Sequence, residues 1–303
     1  MKVRILSRTR KNYSNRRFRE EGKKLGLVVH SADPNEYEIV LGRKTPLLFY
    51  RGKIMNEVDV VLPRSGASIT NYGLAVIAQF EMRGTPVVNG STAITHTRNK
   101  LRCLQLMTRY DIDIPRTVII RRPDELEGAV RMVGGFPVIL KLISGTQGIG
   151  VMLAEKMQTI ESTIDTLWSL GQDILIQECV KESVGRDIRV IVVGGRVVAA
   201  MRRQARIGEF RSNIHRGGIG TTAKLTDPYE RAAKQAARIV GLDVAGVDLL
   251  ESYSGPKVIE VNSSPGLEGV EAATGVNVAR AILEHVAEIA ERKSSKRARQ
   301  RLL

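Results

Sequence analysis

The chain has 303 residues, of which 43% are hydrophobic and 26% are charged, a balance that is ordinary for a globular protein. No apolar run approaches the ~20 residues that a membrane-spanning helix needs. The first residues enter a predicted strand without the apolar region of a signal peptide. Only Cys103 and Cys179 are present, which argues against a disulfide framework and indicates a reduced, cytoplasmic setting.

The net charge of +15 is concentrated at the two ends of the chain. Ten basic residues lie between Lys2 and Lys24 against two glutamates, and the segment from Arg292 to Arg301 is a short basic tail. This pattern is typical of a solvated terminus, and it is equally typical of a surface that attracts RNA or ribosomes. Because no RNA-recognition motif accompanies it, the charge indicates proximity to such partners and not sequence-specific recognition of RNA.

Strands and helices alternate over the first ninety residues, which predicts a small parallel α/β sheet. The expected strands lie at 3–6, 27–30, 59–63 and 86–89, and the expected helices at 16–25 and 72–83. No Gly-x-Gly-x-x-Gly turn follows the first strand, so a dinucleotide site is not indicated there. Arg64 follows a strand at its carboxyl end, where ligands collect in open α/β sheets. It is interpreted either as a carboxylate-binding residue or as a surface arginine.

A helix over 97–110 leads from this first unit into two further units. In the second unit the expected strands lie at 118–120, 137–142, 150–154 and 173–178, and the expected helices at 123–132 and 160–170. The third unit, over 181–291, is dominated by antiparallel hairpins and closed by helices at 228–240 and 276–292. The expected boundaries are therefore 1–95, 96–180 and 181–291, followed by the basic tail at 292–303.

Asp248, Glu260 and Asn262 are the most informative polar residues. They lie in two strand-like segments separated by the turn-rich stretch 252–256, which predicts a hairpin. Glu260 and Asn262 are two residues apart and therefore point to the same face. Pairing across the turn brings Asp248 near them. Three hard oxygen donors suit Mg²⁺ or Mn²⁺ held between carboxylates and phosphate oxygens.

Lys141 ends a predicted strand and precedes the Gly-rich segment 144–150. Glycines let backbone N–H groups approach phosphate closely, and the lysine supplies a cation for the same phosphates. The segment is not a P-loop, because the lysine precedes the loop and Gly-Lys-Ser/Thr is absent. On these residues alone, a plain hairpin turn is the favoured explanation of the pattern.

Gly194 and Gly195 stand between two alternating runs, which predicts a two-residue hairpin turn. An unbroken register from this turn places Asp187 opposite Arg202, with Arg189 on the same face. We interpret this edge as a polar wall for ribose and phosphate, while a surface ion-pair cluster is the alternative.

The segment 210–218 has neither helical nor strand period, and it concentrates the donors Arg211, Asn213 and Arg216 in a Gly-ended loop. Such a loop can fold over an anion or a reacting acyl group.

Together these segments resemble the RimK-type α-L-glutamate ligases, ribosomal-protein modification enzymes of the ATP-grasp superfamily. The resemblance covers nearly the whole chain up to about residue 291 and rests on seven motifs. These are PRSG (63–66), QFEM (79–82), KLISGTQGIGV (141–151), DIR (187–189), FRSNIHRGG (210–218), VAGVD (244–248) and EVNSSPGLEG (260–269). The resemblance implies an α/β (α+β) fold class, with an ATP-grasp fold and a Rossmann-like preATP-grasp domain at the N-terminus.

The resemblance also implies a reaction. ATP would phosphorylate the C-terminal carboxylate of the sixth small-subunit ribosomal protein, and the amine of L-glutamate would attack the acyl phosphate to form an α-peptide bond. One or more glutamates would be added. A homo-oligomer, either a dimer or a tetramer, is expected.

The site residues follow from the same resemblance. It assigns the phosphates to Lys100 and Lys141, adenine to the backbone of Glu178 and Cys179, ribose to Asp187, phosphate or acyl phosphate to Arg211, Ser212 and Asn213, and two Mg²⁺ or Mn²⁺ ions to Asp248, Glu260 and Asn262. The expected catalytic residues are Arg211, Asn213, Arg189 and Arg202, and the expected substrate contacts are Arg64 and Arg216. Cys179 stands where the family pattern has an aromatic residue.

Two other functions are compatible with parts of the pattern. A related ATP-grasp enzyme would join an amine to another carrier protein or a small peptide, with its choice set by Arg64 and the 205–216 loop. A basic ribosome-binding protein with a degenerate nucleotide site is the second alternative. The presence of Lys141, Asp248 and Glu260 argues against that second alternative.

Overall fold

The computed structural model describes residues 1–9, 11–42, 46–64, 71–143, 150–212 and 217–300, with side chains up to Ser295. The first unit contains β1 (Lys2–Leu6), α1 (Tyr13–Lys24), β2 (Val28–Ala32), β3 (Tyr37–Val40), β4 (Leu47–Tyr50), β5 (Lys53–Ile54), β6 (Val60–Pro63) and α2 (Asn71–Met82). The connection to the second unit contains α3 (Ser91–Arg98) and α4 (Lys100–Arg109).

The second unit contains β7 (Thr117–Val118), α5 (Leu126–Met132), β8 (Val138–Leu142), β9 (Val151–Ala154), α6 (Met157–Ser169) and β10 (Ile174–Glu178). The third unit contains β11 (Arg186–Val193), β12 (Arg196–Gln204), β13 (Ile219–Thr222), α7 (Asp227–Ile239), β14 (Val244–Ser252), β15 (Gly255–Asn262), α8 (Glu268–Thr274) and α9 (Val278–Gln300). Over the described ranges, none of the helices is long and apolar enough to cross a membrane.

The parallel sheet predicted near the N-terminus is present, with strand order β2-β1-β6. The segment 86–89 contributes less than predicted, because only Val87 bridges to Val61. The antiparallel sheet β3-β4-β5 was not predicted. It packs through Tyr37 and Leu48 onto Phe80 of α2, and these three side chains are almost fully buried. Its short strands carry too few alternating residues to stand out in the sequence.

Two helix starts differ from the prediction because of asparagine caps. The α1 helix begins at Tyr13 and not at residue 16, since the Asn12 side chain accepts a hydrogen bond from the Asn15 N–H at 2.8 Å. The helix predicted over 97–110 is two helices, since Asn99 leaves the helical conformation and caps α4 through the Arg102 N–H at 3.0 Å. Asparagine favours this cap position because its side chain satisfies an otherwise unpaired donor.

Two antiparallel sheets make up the remainder of the fold. The four-stranded sheet has the order β7-β10-β8-β9, and the five-stranded sheet has the order β13-β12-β11-β14-β15. The smaller sheet has its own core with α5 and α6. Helix α9 packs Ile282, Leu283 and Val286 into one core with residues of β1, β6, β11 and β12. The parallel sheet and the five-stranded sheet are therefore joined through one apolar core.

The hairpin of β11 and β12 departs from the predicted register by one residue. Val193 pairs with Arg196 as predicted, but an irregularity between Ile191 and Val192 follows, so Asp187 lies opposite Arg203. The prediction that Asp187 lies opposite Arg202 is therefore wrong. One extra residue in a strand sends every later side chain to the other face of the sheet.

Candidate functional site

The cleft between the four-stranded and five-stranded sheets collects most of the predicted site residues. It has a volume of about 990 Å³, including its open mouth. The residues that line it include Lys100, Lys141, Glu178, Cys179, Asp187, Arg203, Arg211, Ser212, Asp248 and Glu260.

Four other predicted site residues do not line the cleft. Arg189 lies behind Asp248, and Arg202 forms an ion pair with Glu251 at 2.6 Å. Asn262 is the last residue of β15. Arg64 belongs to the first unit and contacts Pro265, which follows β15. The predictions at Asn213 and Arg216 and the Gly-rich segment 144–149 lie outside the described residues.

The predicted hairpin of metal residues is present. Asp248 of β14 pairs directly with Glu260 of β15, and Asn262 pairs with Gly246. Asn262 lies two residues beyond Glu260 on the same face, as the strand period requires. The three predicted metal residues are therefore neighbours on one face of the hairpin.

Asp248 is fully buried and held by two guanidinium groups. Arg189 donates from Nε and Nη2 to the two carboxylate oxygens at 2.7 and 2.6 Å. Arg203 bridges Asp248 to Asp187, with its Nη2 3.0 Å from Asp248 Oδ2 and its Nε 2.6 Å from Asp187 Oδ1. Burial acts to raise the pKa of Asp248, but the charges of Arg189 and Arg203 outweigh it and lower that pKa. The carboxylate is therefore ionised and oriented.

The donor set fits a divalent cation that shares oxygens with a phosphate. Two carboxylates and one amide oxygen are hard ligands of the kind that Mg²⁺ prefers. Within the described part of the chain, no group of three His, Cys, Asp or Glu side chains could hold a metal alone. A carboxylate has about four lone-pair positions, so Asp248 keeps acceptor capacity beside its arginines. Substrate oxygens would complete the coordination.

Arg203 replaces Arg202 as the arginine of this network, and it was missed because the sequence does not reveal the irregularity in β11–β12. Only 4% of the Arg203 side chain is exposed, whereas the Arg202 side chain is 44% exposed. The two neighbours therefore form a matched pair, one buried against two carboxylates and one in a surface ion pair.

We expect Arg203→Met to lower the free energy of unfolding by ~3–5 kcal/mol, because it leaves two buried carboxylates with one guanidinium. Arg202→Met is expected to change it by about 1 kcal/mol or less, as for other exposed ion pairs. Denaturant unfolding of both variants measures the difference. Equal losses for the two variants would contradict the assigned register.

Lys141 and Lys100 contribute two ammonium groups to the cleft. Lys141 lies on β8, and Lys100 is the first residue of α4. Burial lowers the pKa of Lys141 to about 8, and the charges of Lys100, Glu260 and Asp248 modify this effect. Burial also lowers the pKa of Lys100, while Glu260 opposes the change. Two desolvated ammonium groups beside two carboxylates are suited to a polyphosphate with its cation.

ATP affinity is expected to fall as the pH rises from about 7 to about 9. The reason is that the free protein loses the Lys141 proton around pH 8, and a neutral amine no longer attracts phosphate. Calorimetric titration with ATP in the absence of acceptor measures this dependence. Lys141→Arg stays charged throughout this range and is expected to reduce the fall to the part that Lys100 contributes, so an undiminished fall in that variant would refute the assignment to Lys141.

Glu209 orients Arg211 at the rim of the cleft. Its carboxylate accepts from the Arg211 backbone N–H at 3.1 Å, from Nε at 3.0 Å and from Nη2 at 2.8 Å. These hydrogen bonds lower the pKa of Glu209 to about 2. Glu209 was not singled out in the sequence, where only its position within the 205–216 loop was noted.

Asn89 is a second residue that the sequence did not single out. It is buried and donates from Nδ2 to the carbonyls of Val244 at 2.7 Å and Ser263 at 2.8 Å, while its Oδ1 accepts from the Val244 N–H at 2.9 Å. It therefore ties the start of β14 to the residue after Asn262. Its position at the carboxyl end of a predicted strand, like that of Arg64, was the available signal.

The cleft between two antiparallel sheets, with its lysines, paired carboxylates and preceding parallel sheet, defines an ATP-grasp fold. Solved structures support the fold at low sequence identity. PsnB, an ATP-grasp ligase complexed with minimal precursor, Mg and ADP, gives a TM-score of 0.73 at 19% identity over 96% of this chain and 98% of that chain. D-alanine–D-alanine ligase from Bacillus anthracis complexed with ATP gives 0.65 at 17% identity over 98% and 99%.

Sequence comparison identifies the family within that fold. The RimK PreATP-grasp domain matches residues 1–94, and the RimK-like ATP-grasp domain matches residues 97–286. The chain therefore belongs to the RimK-like ATP-grasp family, and its relatives named as probable alpha-L-glutamate ligases support an ATP-dependent ligase. A probable alpha-L-glutamate ligase of Marinomonas sp. is 48% identical over 98% of both chains. Another from Teredinibacter turnerae is 50% identical over 94% of this chain and 95% of its own.

Proposed function

We propose that this ligase adds L-glutamate to the C-terminal carboxylate of the sixth small-subunit ribosomal protein through an acyl phosphate. The observation that supports it best is the convergence of Lys100, Lys141, Asp248 and Glu260 in one cleft. The relatives named as glutamate ligases supply the amino acid. The acceptor is the one that the resemblance to RimK-type ligases implies.

Different side chains bind the phosphates, the nucleoside and the metal ions. Lys100 and Lys141 neutralise phosphate oxygens, and Asp187 with the backbone at Glu178 and Cys179 holds the nucleoside. Asp248, Glu260 and Asn262 would hold Mg²⁺, or Mn²⁺ as the alternative, with two ions in all. Such ions supply charge neutralisation at the transferring phosphoryl group. The protein supplies position and electrostatics, as phosphoryl transfer requires.

Two displacement steps account for the products. A carboxylate oxygen of the acceptor bonds to the γ-phosphorus, and the bond from that phosphorus to ADP breaks. The glutamate nitrogen then bonds to the acyl carbon, phosphate leaves with the electron pair of the broken C–O bond, and the nitrogen loses a proton. Arg211, Ser212 and Asn213 are proposed to hold the phosphoryl group, with Glu209 orienting Arg211. Arg189 acts by orienting Asp248.

The wider assignments are also proposals. The units 1–95, 96–180 and 181–291 correspond to the preATP-grasp domain, the lid and the metal-binding part. Arg64 and Arg216 contact substrate, and the basic ends approach the ribosome or its RNA. The protein is cytoplasmic and forms a homo-oligomer.

A second acceptor class is favoured by a specific observation. The structural neighbour PsnB is an ATP-grasp ligase whose structure was determined in complex with a precursor peptide, so this fold binds a peptide in that protein. We therefore keep a small peptide or another carrier protein as the alternative acceptor.

An isotope experiment tests the acyl phosphate and the acceptor together. The ribosomal protein, with heavy oxygen in its C-terminal carboxylate, is incubated with ATP, Mg²⁺ and L-glutamate. Transfer of one heavy oxygen to the released phosphate is expected. A matched acceptor with an amidated C-terminus should release no labelled phosphate. Glutamate incorporation without label transfer would refute the acyl phosphate, and no incorporation would refute the acceptor.

A further inference from the structure

Arg64 is buried at the carboxyl end of β6, and one of its nitrogens has no partner among the described residues. Only 8% of the residue is exposed. Its backbone N–H donates to Leu6 O at 2.8 Å, and its Nη2 donates to the carbonyl of Pro265. Its Nη1 is buried and has no hydrogen-bond partner among the described residues. A buried guanidinium nitrogen without an acceptor is rare, because desolvation of a charged donor is unfavourable unless a partner replaces water.

In addition, no carboxylate among the described residues neutralises the charge of Arg64. Within the described part of the chain it forms no ion pair with a carboxylate, whereas Arg189 and Arg203 both do. Burial lowers the pKa of Arg64 to about 10. The ring of Phe18 lies 5.4 Å from its Cζ atom and supports the guanidinium plane through a cation–π contact. A held, desolvated and unneutralised cation is a suitable receptor for an anion.

The guanidinium of Arg64 lies near the strand that carries the predicted metal residues. Pro265 follows Asn262 by three residues and packs against Gly246, since a Cβ added at Gly246 would lie 2.7 Å from Pro265 Cβ. The Nη2 contact to Pro265 therefore fixes the guanidinium at the exit of the strand that carries Glu260. The carboxyl ends of parallel strands, such as the end of β6, are where small ligands bind in open α/β sheets.

We propose that Nη1 of Arg64 binds a carboxylate of the incoming L-glutamate and so positions its amine for the reaction. This inference rests on the proposed function and identifies its amino-acid subsite. The amine of glutamate must reach the acyl carbon, while neither of its carboxylates reacts. Holding one of them fixes the position of the amine. The ATP phosphates are served by the lysines in the cleft, so Nη1 of Arg64 remains for the second substrate.

Kinetics of Arg64→Gln and Arg64→Lys test the proposal. Both variants are expected to raise the KM for L-glutamate by about tenfold or more, because a hydrogen bond to a charged group is lost or misplaced. The KM for ATP is expected to stay within about twofold of the wild-type value. Arg83→Gln is the matched control, since Arg83 also donates to a backbone carbonyl in the same unit, that of Leu48.

Two amides of glutamate identify which carboxylate Arg64 binds. Glutamine lacks the γ-carboxylate, and isoglutamine lacks the α-carboxylate. The wild type is expected to discriminate against the amide of the bound carboxylate, and Arg64→Gln is expected to lose that discrimination. Unchanged discrimination against both amides in the variant would overturn the proposal.

Two further outcomes separate a substrate role from a structural one. If Arg64 only held Pro265, its variants would raise the KM for ATP or lower the unfolding midpoint and leave the KM for glutamate unchanged. That result would overturn the proposal alone. Failure of the wild-type protein to bind glutamate, measured by calorimetry with a non-hydrolysable ATP analogue, would overturn the proposed function with it.

Discussion

Glu260→Gln is expected to abolish glutamate transfer while leaving the protein folded. The substitution keeps the shape of a side chain that pairs with Asp248 across the hairpin but removes its charge. Loss of one carboxylate ligand should remove ~3 kcal/mol or more of transition-state stabilisation, about two powers of ten in rate. Initial rates at saturating ATP and Mg²⁺ measure this loss, and Mn²⁺ binding followed by electron paramagnetic resonance should weaken in parallel.

Glu251→Gln is the matched control on the same hairpin. Glu251 pairs with Arg202 on the other face and does not line the cleft. This variant should keep its rate within about twofold and its stability within about 1 kcal/mol. Undiminished transfer by Glu260→Gln, or equal losses in both variants, would contradict the metal assignment.

Lys141→Met is expected to remove most ATP binding without destabilising the fold. The ammonium group lines the cleft, where burial lowers its pKa. Contact with a polyphosphate should therefore contribute ~2–5 kcal/mol to binding. Replacing a buried ammonium by an apolar side chain of similar length should leave stability unchanged or increased.

Calorimetric ATP titration and thermal unfolding of Lys141→Met measure the two effects separately. Lys156→Met is the control, because Lys156 is exposed in the same unit, before α6. It should bind ATP as the wild type does. If Lys141→Met stayed folded and bound ATP normally, the phosphate role of Lys141 would be excluded, and a large loss of thermal stability would contradict the expected effect on the fold.

The sequence was sufficient for the parts of the site that depend on short-range rules. The turn at 252–256 and the strand period predicted that Asp248 and Glu260 would meet, and the two residues pair directly. The placement of Lys141 on a strand beside the Gly-rich segment was also confirmed, since Lys141 lies on β8. These features follow from periodicity and turn chemistry, which are local properties.

The parts that failed depend on interactions between distant residues. The irregularity in β11–β12 places Arg203, and not Arg202, opposite Asp187. Such a bulge depends on the packing of the whole sheet, so it could not be predicted from the sequence of the hairpin. Asn89 contacts residues more than 150 positions away. Whether Arg64 was a surface or a buried residue could not be decided before its contact with Pro265 was known.

The most direct test of the central proposal is the intact mass of the candidate ribosomal protein after incubation with this protein, ATP, Mg²⁺ and L-glutamate. We predict one or more successive increases of one glutamyl residue each, absent with Glu260→Gln and absent when the acceptor's C-terminal carboxylate is amidated. ATP hydrolysis without a gain of mass on that acceptor, or addition of an amino acid other than glutamate, would contradict it.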